Sequence, residues 1–552
     1  MTIALVIIGI VAAALLWRWA QKKQQALYRV NDRFGMPPNE MEKGNLKSIQ
    51  KYWEAKRGAV PNPFAIDKLT WNDLSMDAVF HRINMCGSSI GEEYLYALLH
   101  EPTTDLAVLK QRETFLRELG LRPELRKKLQ TILVNAGKKD NNGLASFLFA
   151  IETKGIDSIW RYRIQAVAPL VALGVMLYSV GLGTLLLIAA VAVNAVTYAR
   201  KQWTLTKELN AVRYLSAILK ASRQIAAIKD DMLAPYADVL RENGKPFRAL
   251  SNRFLQMTDE GDMEWNFLLE YIKLLFLYDF LRFDRIVNTI KKHSNELRAM
   301  WDALGELDAM ISVLSFRQSL QTHAVPEWTD TEEVVLTDVW HPLLDNAVRN
   351  SLSLNHNCFV TGSNASGKST FIKAVAVNAI LAQTIHTCTA RGYKARPCRV
   401  LTSMAVKDDV VEGDSYFIAE IKSLRRVMDA LAEADVRCFC FIDEILKGTN
   451  TVERIAASAA IAQYLLDKNC LCMVATHDIE LPGILGEHFQ NVHFSENVTD
   501  EGVTFSYLLH EGVSQTRNAI HLLDFMEFDK TIVTSADSMV QWYMDNKKWK
   551  TM

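Results

Sequence analysis

Hydrophobic and polar positions follow three different patterns along the chain, and each predicts a different kind of element. Two blocks are apolar almost without interruption: Thr2 to Leu16, and Ile164 to Tyr198. Neither has a polar face, which argues against an ordinary surface helix. Elsewhere in the first 320 residues, apolar positions recur three and four apart, as in "IGEEYLYALLHEP" and "DLAVLKQRETFLRELG". That spacing predicts amphipathic helices, punctuated by Pro102 and Gly120. From Glu264 to Leu320 the helical pattern runs with almost no breakers and predicts long packing arms. Near Asp330 the pattern changes again. "EEVVLTDVW" and "NCFVTGS" read as strands, and strand and helix signals then alternate to about Phe505, which predicts an α/β domain on a mostly parallel sheet. The last stretch, from Ser514, returns to helix.

The apolar blocks raise the question of a membrane. Thr2–Leu16 is followed by Trp17, Arg18, Trp19, Lys22 and Lys23, an interfacial and basic flank that fits a short anchor with its basic end in the cytoplasm. A cleaved signal peptide is the alternative, although a basic n-region is absent. The second block is interrupted at Gly181 and Gly183, leaving two arms of about 17 residues, close to the lower limit for crossing a bilayer. Arg161, Arg163, Arg200 and Lys201 flank its outer ends, and the Gly-Leu-Gly segment carries no charge. A hairpin entering from the cytoplasm satisfies the positive-inside rule; a buried helical hairpin in a soluble domain is the other reading.

Composition narrows the rest. At 552 residues the chain is too long for one core, and 49% apolar with 23% charged residues excludes wholesale disorder. The 62 basic and 63 acidic residues leave no global field toward nucleic acid, so any DNA contact is a local patch. Among the eight cysteines, the "CFC" (Cys438, Cys440) and "CLC" (Cys470, Cys472) pairs lie in short apolar runs and read as core residues on strands. Their spacing lacks the usual two- to four-residue spacer of a zinc site.

Candidate chemistry gathers in the last third. Gly362-Ser363-Asn364-Ala365-Ser366-Gly367-Lys368-Ser369, with Thr370 after it, matches G-x-x-x-x-G-K-[ST] between a strand signal and a helix signal. Glycines let backbone N–H groups turn inward around phosphate oxygens at a helix N-terminus. Lys368 is then expected on the β- and γ-phosphates of ATP and Ser369 on Mg²⁺. "RCFCFIDEI" places Asp443 and Glu444 at the carboxyl edge of a buried strand, with Asp443 expected as a metal ligand and Glu444 as the base that orients and deprotonates water. "LCMVATHDIE" ends a second strand at Thr476-His477, which puts His477 within reach of the γ-phosphate.

The set "TGSNASGKSTF", "DDVVEGDSYFIAEI", "FIDEILKGTNT" and "VATHD" resembles the ATPase domain of MutS-type mismatch-repair proteins, a branch of the ABC ATPases. Ser363 stands where that family usually has Pro, Trp340 where the R-H-P entry to the domain has Arg, and Lys447 where Arg is usual. The resemblance implies that Ser415 contacts the γ-phosphate of a partner subunit, supported by Phe417 and Glu420, although Ser415 or Asp414 also reads as a helix N-cap. It implies that Thr449 to Thr451 form the loop between paired sites, and that "YLLHEGVSQTRNAIHLL" leads into dimerising helices. Upstream, "WNDLSMDAVFHRINMCGSSIGEEYLYALLHEPTTDLAVLKQRETFLREL" is faintly similar to the start of the family's helical core.

The expected organisation is therefore an anchor at 1–20, a helical core-like region at 21–163, a transmembrane hairpin at 164–198, long lever helices at 199–329, a P-loop ATPase domain at 330–510 and a helical dimerisation segment at 511–552. The expected function is a membrane-anchored, MutS-like ATPase that switches as a homodimer. By resemblance it binds DNA mismatches or structures, with ATP and Mg²⁺ as cofactors, membrane lipid as a partner, and its ATPase domain on the cytoplasmic side of the inner membrane. A non-DNA mechanochemical or scaffolding ATPase is the alternative, and an ABC-type half transporter a more distant one, since no L-S-G-G-Q string is present.

Overall fold

The computed structural model describes residues 17, 20–21, 23–40, 42–140, 144, 148–149, 159–251, 274–277, 286–363, 366–404, 416–433, 436–447, 449–499, 502–514, 519–546 and 548–549. The chain divides into two compact units. One comprises residues 1–63, 83–98 and 114–319; the other comprises 64–82, 99–113 and 320–552.

The first unit is helical. Its labelled helices are α1 (Leu46–Ala59), α2 (Pro123–Ala136), α3 (Ile159–Met176), α4 (Val180–Ala226), α5 (Ala234–Asn243) and α6 (Ser294–Ser319). Leu297, Met300, Trp301, Leu304, Leu307 and Ile311 are buried along α6, which makes it the central rod of the unit. Asp308, buried on that rod, accepts hydrogen bonds from Gly87 N (3.0 Å), Ser88 N (2.9 Å) and Ser88 Oγ (2.5 Å). A carboxylate from α6 thus satisfies backbone donors at the start of the helix at Ser89–His100, a cap supplied from more than 200 residues away. Gly91 is required there, because a Cβ would lie 2.3 Å from Asp308 Oδ2. The long breaker-free pattern resolves, over its described part, into α6 and a preceding helical stretch with a turn at His293.

The apolar block at 164–198 forms an antiparallel pair, α3 against α4. The chain turns at Leu177–Ser179, not at the glycines: Gly181 and Gly183 lie in the first turn of α4. A Cβ on Gly183 would sit 2.5 Å from Met176 Cα, so this glycine permits close approach of the two arms where the sequence reading places a turn. The number of spanning helices also differs from expectation. Among the described residues, only the segment Val180–Arg200 is long and apolar enough to cross a membrane; α3, with Pro169 inside it, is not. The expected anchor at 1–20 falls outside the described residues apart from Trp17 and Ala20.

The second unit holds both sheets. Its strands are β1 (Glu327–Trp328), β2 (Val334–Val339), β3 (Asn350–Leu354), β4 (Cys358–Thr361), β5 (Gly392–Ala395), β6 (Arg399–Ser403), β7 (Cys438–Asp443), β8 (Cys470–Ala475), β9 (Gln490–Thr499) and β10 (Gly502–Glu511). A four-stranded mixed sheet has the order β1-β5-β2-β3, and a six-stranded sheet the order β10-β9-β4-β8-β7-β6. In the larger sheet every pairing is parallel except β9 with β10. The helices of this unit are α7 (Lys368–Thr384), α8 (Tyr416–Ala432), α9 (Thr451–Leu466), α10 (Glu480–Leu485), α11 (Ala519–Phe525) and α12 (Lys530–Asn546).

Strand parity sorts the core into two layers. Cys438, Cys440 and Ile442 of β7 and Cys472 and Val474 of β8 pack with Leu424, Val427 and Leu431 of α8 and Ala462 and Leu465 of α9. The alternate residues Phe439, Phe441 and Met473 therefore face the other way, toward α7, whose residues from Phe371 to Thr384 are nearly all buried. Asp443 belongs to that second set. The edge strand β6 is closed by a segment from far upstream. Asp67 N-caps the short helix Lys68–Asp73, and Asp73 Oδ2 accepts from Thr402 Oγ1 (2.7 Å) and Met404 N (3.1 Å). Arg426 of α8 binds both Asp67 and the Thr402 carbonyl. Residues 64–82 thereby cover an edge that would otherwise present unpaired backbone groups.

Candidate nucleotide-binding site

The site forms where the carboxyl ends of three parallel strands meet. Register pairs Val360 with Ala475 and Ala475 with Asp443, so the segments that follow β4, β8 and β7 emerge side by side. In an open parallel sheet that edge is where ligands bind.

The loop after β4 turns on two glycines. Gly362 has φ +138° and a Cβ there would lie 2.6 Å from the Phe494 carbonyl; Gly367, at φ +107°, precedes α7. Ser366 Oγ donates to Ser363 O (2.8 Å), bracing the loop, and Ser363 Oγ donates to Glu496 Oε2 (2.8 Å). The N-cap of α7 is Gly367, which has no side chain to occupy the first-turn amides, so these keep their capacity for an anion as far as the described residues go. Lys368 folds back over the loop, donating to the carbonyls of Gly362 (2.6 Å) and Ser363 (2.7 Å). Burial lowers its pKa, opposed by the charges of Glu444 and Asp443. Asn364 and Ala365 lie outside the described residues.

Strand parity brings Asp443 to the face of the sheet that α7 covers. Burial raises the Asp443 pKa, partly offset by the nearby Ser369 hydroxyl and by Lys368. Glu444 leaves the strand with φ +63°, an unusual conformation for a side chain of this size. Its carboxylate meets Lys447 Nζ at 2.8 Å and His477 Nδ1 at 3.2 Å. Burial pushes the Glu444 pKa up, but the bonds from His477 and Lys447 outweigh it and leave the pKa at about 2. His477 is raised in turn, mainly by its bond to Glu444.

These groups line a cavity of about 570 Å³. Ser363, Lys368, Ser369, Asp443, Glu444 and Lys447 are among its polar lining residues, and Trp340, Leu344, Val348, Phe494 and Tyr507 among its apolar ones. The volume is in the range of small-molecule sites. The donor set fits a triphosphate and a divalent cation: a cationic side chain and free helix amides for the anion, an aspartate and a hydroxyl for the metal. Of the residues expected here, the structure brings together Gly362, Ser363, Ser366, Gly367, Lys368, Ser369, Thr370, Asp443 and Glu444, with His477 on Glu444. Ser415 lies outside the described residues. Asn450 N-caps α9 through Val452 N (3.0 Å), and Thr449 Oγ1 lies 3.5 Å from Glu453 Oε2.

Sequence reasoning missed several supporting side chains. Arg454 forks onto Asp478 (3.0 and 2.6 Å), pinning the residue next to His477. Tyr507 sits in a bulge of β10 at φ +54°, with its ring 3.2 Å from where a Gly367 Cβ would be. Asn350 holds that bulge, donating to Tyr507 O (3.0 Å) and accepting from Leu509 N (2.8 Å). The Asp of "VATHD" was a visible signal for the first; none marks the bulge.

Comparison with known proteins agrees with this geometry. Residues 358–543 match the family model for MutS domain V. The human MutS protein homolog 4 is 28% identical over 251 residues, 42% of this chain and 26% of its own. The DNA mismatch repair protein MutS of Bacillus cytotoxicus is 25% identical over 361 residues, 60% of this chain and 40% of its own. That of Streptococcus suis is 27% identical over 275 residues, 47% and 32%. The chain thus spans between about a quarter and two fifths of the length of these relatives. The match to MutS domain V thus falls on the α/β unit, where the mostly parallel sheet and the loop after β4 lie.

Proposed function

We propose that the protein is an ATPase whose nucleotide cycle drives association of two copies, with a lipid-facing helical hairpin and with DNA as the effector. The observation that carries the nucleotide reading is the convergence of Lys368, Ser369, Asp443 and Glu444 on one cavity beside an uncapped helix N-terminus. Bound Mg²⁺, held by Ser369 and Asp443, would neutralise charge on the phosphates. Lys368 exchanges the Gly362 and Ser363 carbonyls for phosphate oxygens, and the first-turn amides of α7 orient them. The apolar lining residues, Trp340 among them, would take the base. Glu444 is ionised, but its oxygens are engaged by Lys447 and His477. To accept a proton from water it must release one of them, which makes that turn the step at which hydrolysis is controlled.

Dimerisation through the α/β unit and α11–α12 rests on the family resemblance and on exposed apolar residues there, including Phe525, Phe528, Ile532 and Trp542. Ser415 would then complete the partner's site. DNA as effector follows the names of the relatives, two of which are called DNA mismatch repair proteins.

The hairpin favours a membrane location. Ile164, Val167, Leu170, Leu173, Leu185 and Ile188 are exposed on α3 and α4, a surface costly to leave in water. Two polar side chains of the hairpin donate within it or beside it: Asn194 Nδ2 to Gln165 O (3.0 Å) and Leu275 O (2.7 Å), and Thr184 Oγ1 to Val180 O (2.7 Å), while Gln165 Oε1 is buried without a hydrogen-bond partner among the described residues. Satisfied donors are what a lipid environment demands. Near the base of α3, Arg163 stacks on Trp160 at 4.8 Å, suited to an interface. This surface also supports the second reading, a membrane ATPase without a DNA effector. Turnover of detergent-solubilised protein with and without duplex, mismatched and branched DNA distinguishes the two. The DNA reading predicts stimulation that weakens as salt rises; equal rates with every form support the second. Lys368→Ala is expected to weaken ATP binding roughly 10- to 100-fold, the worth of a hydrogen bond to a charged group.

A further inference from the structure

Glu444 and Leu446, at φ +63° and +56°, put two non-glycine residues in left-handed conformation within one short turn after β7. Such a turn persists only where its surroundings over-determine it. Among the described residues, three hydrogen bonds to its backbone hold it. Glu444 N donates to Ala475 O (2.9 Å), and Ser458 Oγ of α9 donates to Ile445 O (3.2 Å). The third is Lys447 N, which donates to Glu420 Oε1 at 2.9 Å. The first two come from the neighbouring strand and the core-packed α9. The third comes from the second turn of α8, the helix that begins at Tyr416, directly after Ser415 in the sequence.

Glu420 is only 5% exposed, and its second oxygen, Oε2, is buried with no hydrogen-bond partner among the described residues. A carboxylate kept in a buried position with half its acceptors unused is costly, and the helix itself has no need of it. Among the described residues, its hydrogen bond is to the Lys447 amide. The same Lys447 carries the ammonium that pairs with Glu444 Oε2 at 2.8 Å. A shift of α8 therefore changes the backbone position of Lys447, and with it the side chain that occupies Glu444.

We propose that Glu420 is a positioning residue: by accepting the Lys447 N–H it fixes the turn that presents Glu444, and it transmits the position of the start of α8 to that carboxylate within the same chain. This rests on the nucleotide reading above and deepens it. A displacement of the first turns of α8 would reach the Glu444 turn through one hydrogen bond, without passing through the phosphate loop.

The test compares Glu420→Met, which fills the same space without an acceptor, with Glu420→Gln, which keeps one. Two measurements are made on the full chain: hydrogen exchange of the peptide spanning 444–447 without nucleotide, and kcat and KM for ATP with direct binding of a non-hydrolysable analogue. The expected result is loss of Lys447 amide protection and an approximately 10-fold fall in kcat for Glu420→Met, with analogue affinity changed less than about twofold. Glu420→Gln is expected to restore both to within about threefold of the wild type. Retained protection in a folded Glu420→Met protein overturns the proposal, as does an equal fall in kcat for both variants or a loss confined to affinity. A wild type that neither binds nor hydrolyses ATP refutes the nucleotide reading instead, while the exchange measurement still decides the role of Glu420 in the turn.

Discussion

At the residue scale, the charged groups of the site are held by partners within the chain itself. Lys368 spends its donors on two carbonyls of its own loop, and Glu444 is shared between Lys447 and His477. His341 shows how burial sets charge at the same cavity. Burial, and then the Lys373 charge, lower its pKa from 6.5 to about 4, and its Nδ1 accepts from Leu343 N at 3.3 Å, so the ring is neutral at pH 7. Because the folded pKa lies below the unfolded one, the unfolded chain takes up the proton first as pH falls. Stability attributable to the neutral ring is complete above about pH 6.5 and is lost progressively toward pH 4, by about 3 kcal/mol in all. Denaturant titrations should show the wild type losing that much more than His341→Gln between pH 7 and pH 4; parallel losses would mean the ring is protonated in the folded state. The motif residues were legible because their chemistry depends on spacing along one segment. Arg454, Asn350 and Tyr507 were not, because their roles come from a register and a bulge that link positions 24 to 159 residues apart.

At the scale of elements, short strands and long helices were legible from periodicity. Parity along "CFCFID" sends alternate side chains to opposite faces of the sheet, and it puts Asp443 on the face that α7 covers. Glycine was misread in the hairpin, since the same residue serves a turn and a close helix contact, and only packing against Met176 separates the two. The docking of Lys68–Asp73 onto β6 had no local signal at all; it depends on Asp73 meeting Thr402 across 329 residues. For α3 and α4 the lipid reading makes a local prediction. The described cysteines are buried or half-buried, so Ile188→Cys supplies a well-exposed thiol for an environment-sensitive fluorophore. In lipid nanodiscs its emission should shift to the blue and be quenched by lipid-borne spin labels while iodide leaves it unchanged. Quenching by iodide alone would place this face in water or against protein.

At the scale of the whole molecule, α4 runs for 47 residues, about 70 Å, from the hairpin turn into the body of its unit. Such a rod is suited to carry displacement over a distance that side-chain contacts alone do not span. The α/β unit was recognisable from its motifs. That it also recruits residues 64–82 and 99–113 was not, because those segments read as ordinary amphipathic helix. The central claim is that the cavity between Lys368 and Glu444 binds ATP and that Glu444 serves its hydrolysis. The most direct measurement is ATP binding and single-turnover hydrolysis by Glu444→Gln beside the wild type. The account predicts binding retained within a few-fold and turnover reduced by roughly 10²- to 10⁴-fold, as for loss of a general base. Unchanged turnover in Glu444→Gln, or a wild type that binds no ATP, would contradict it.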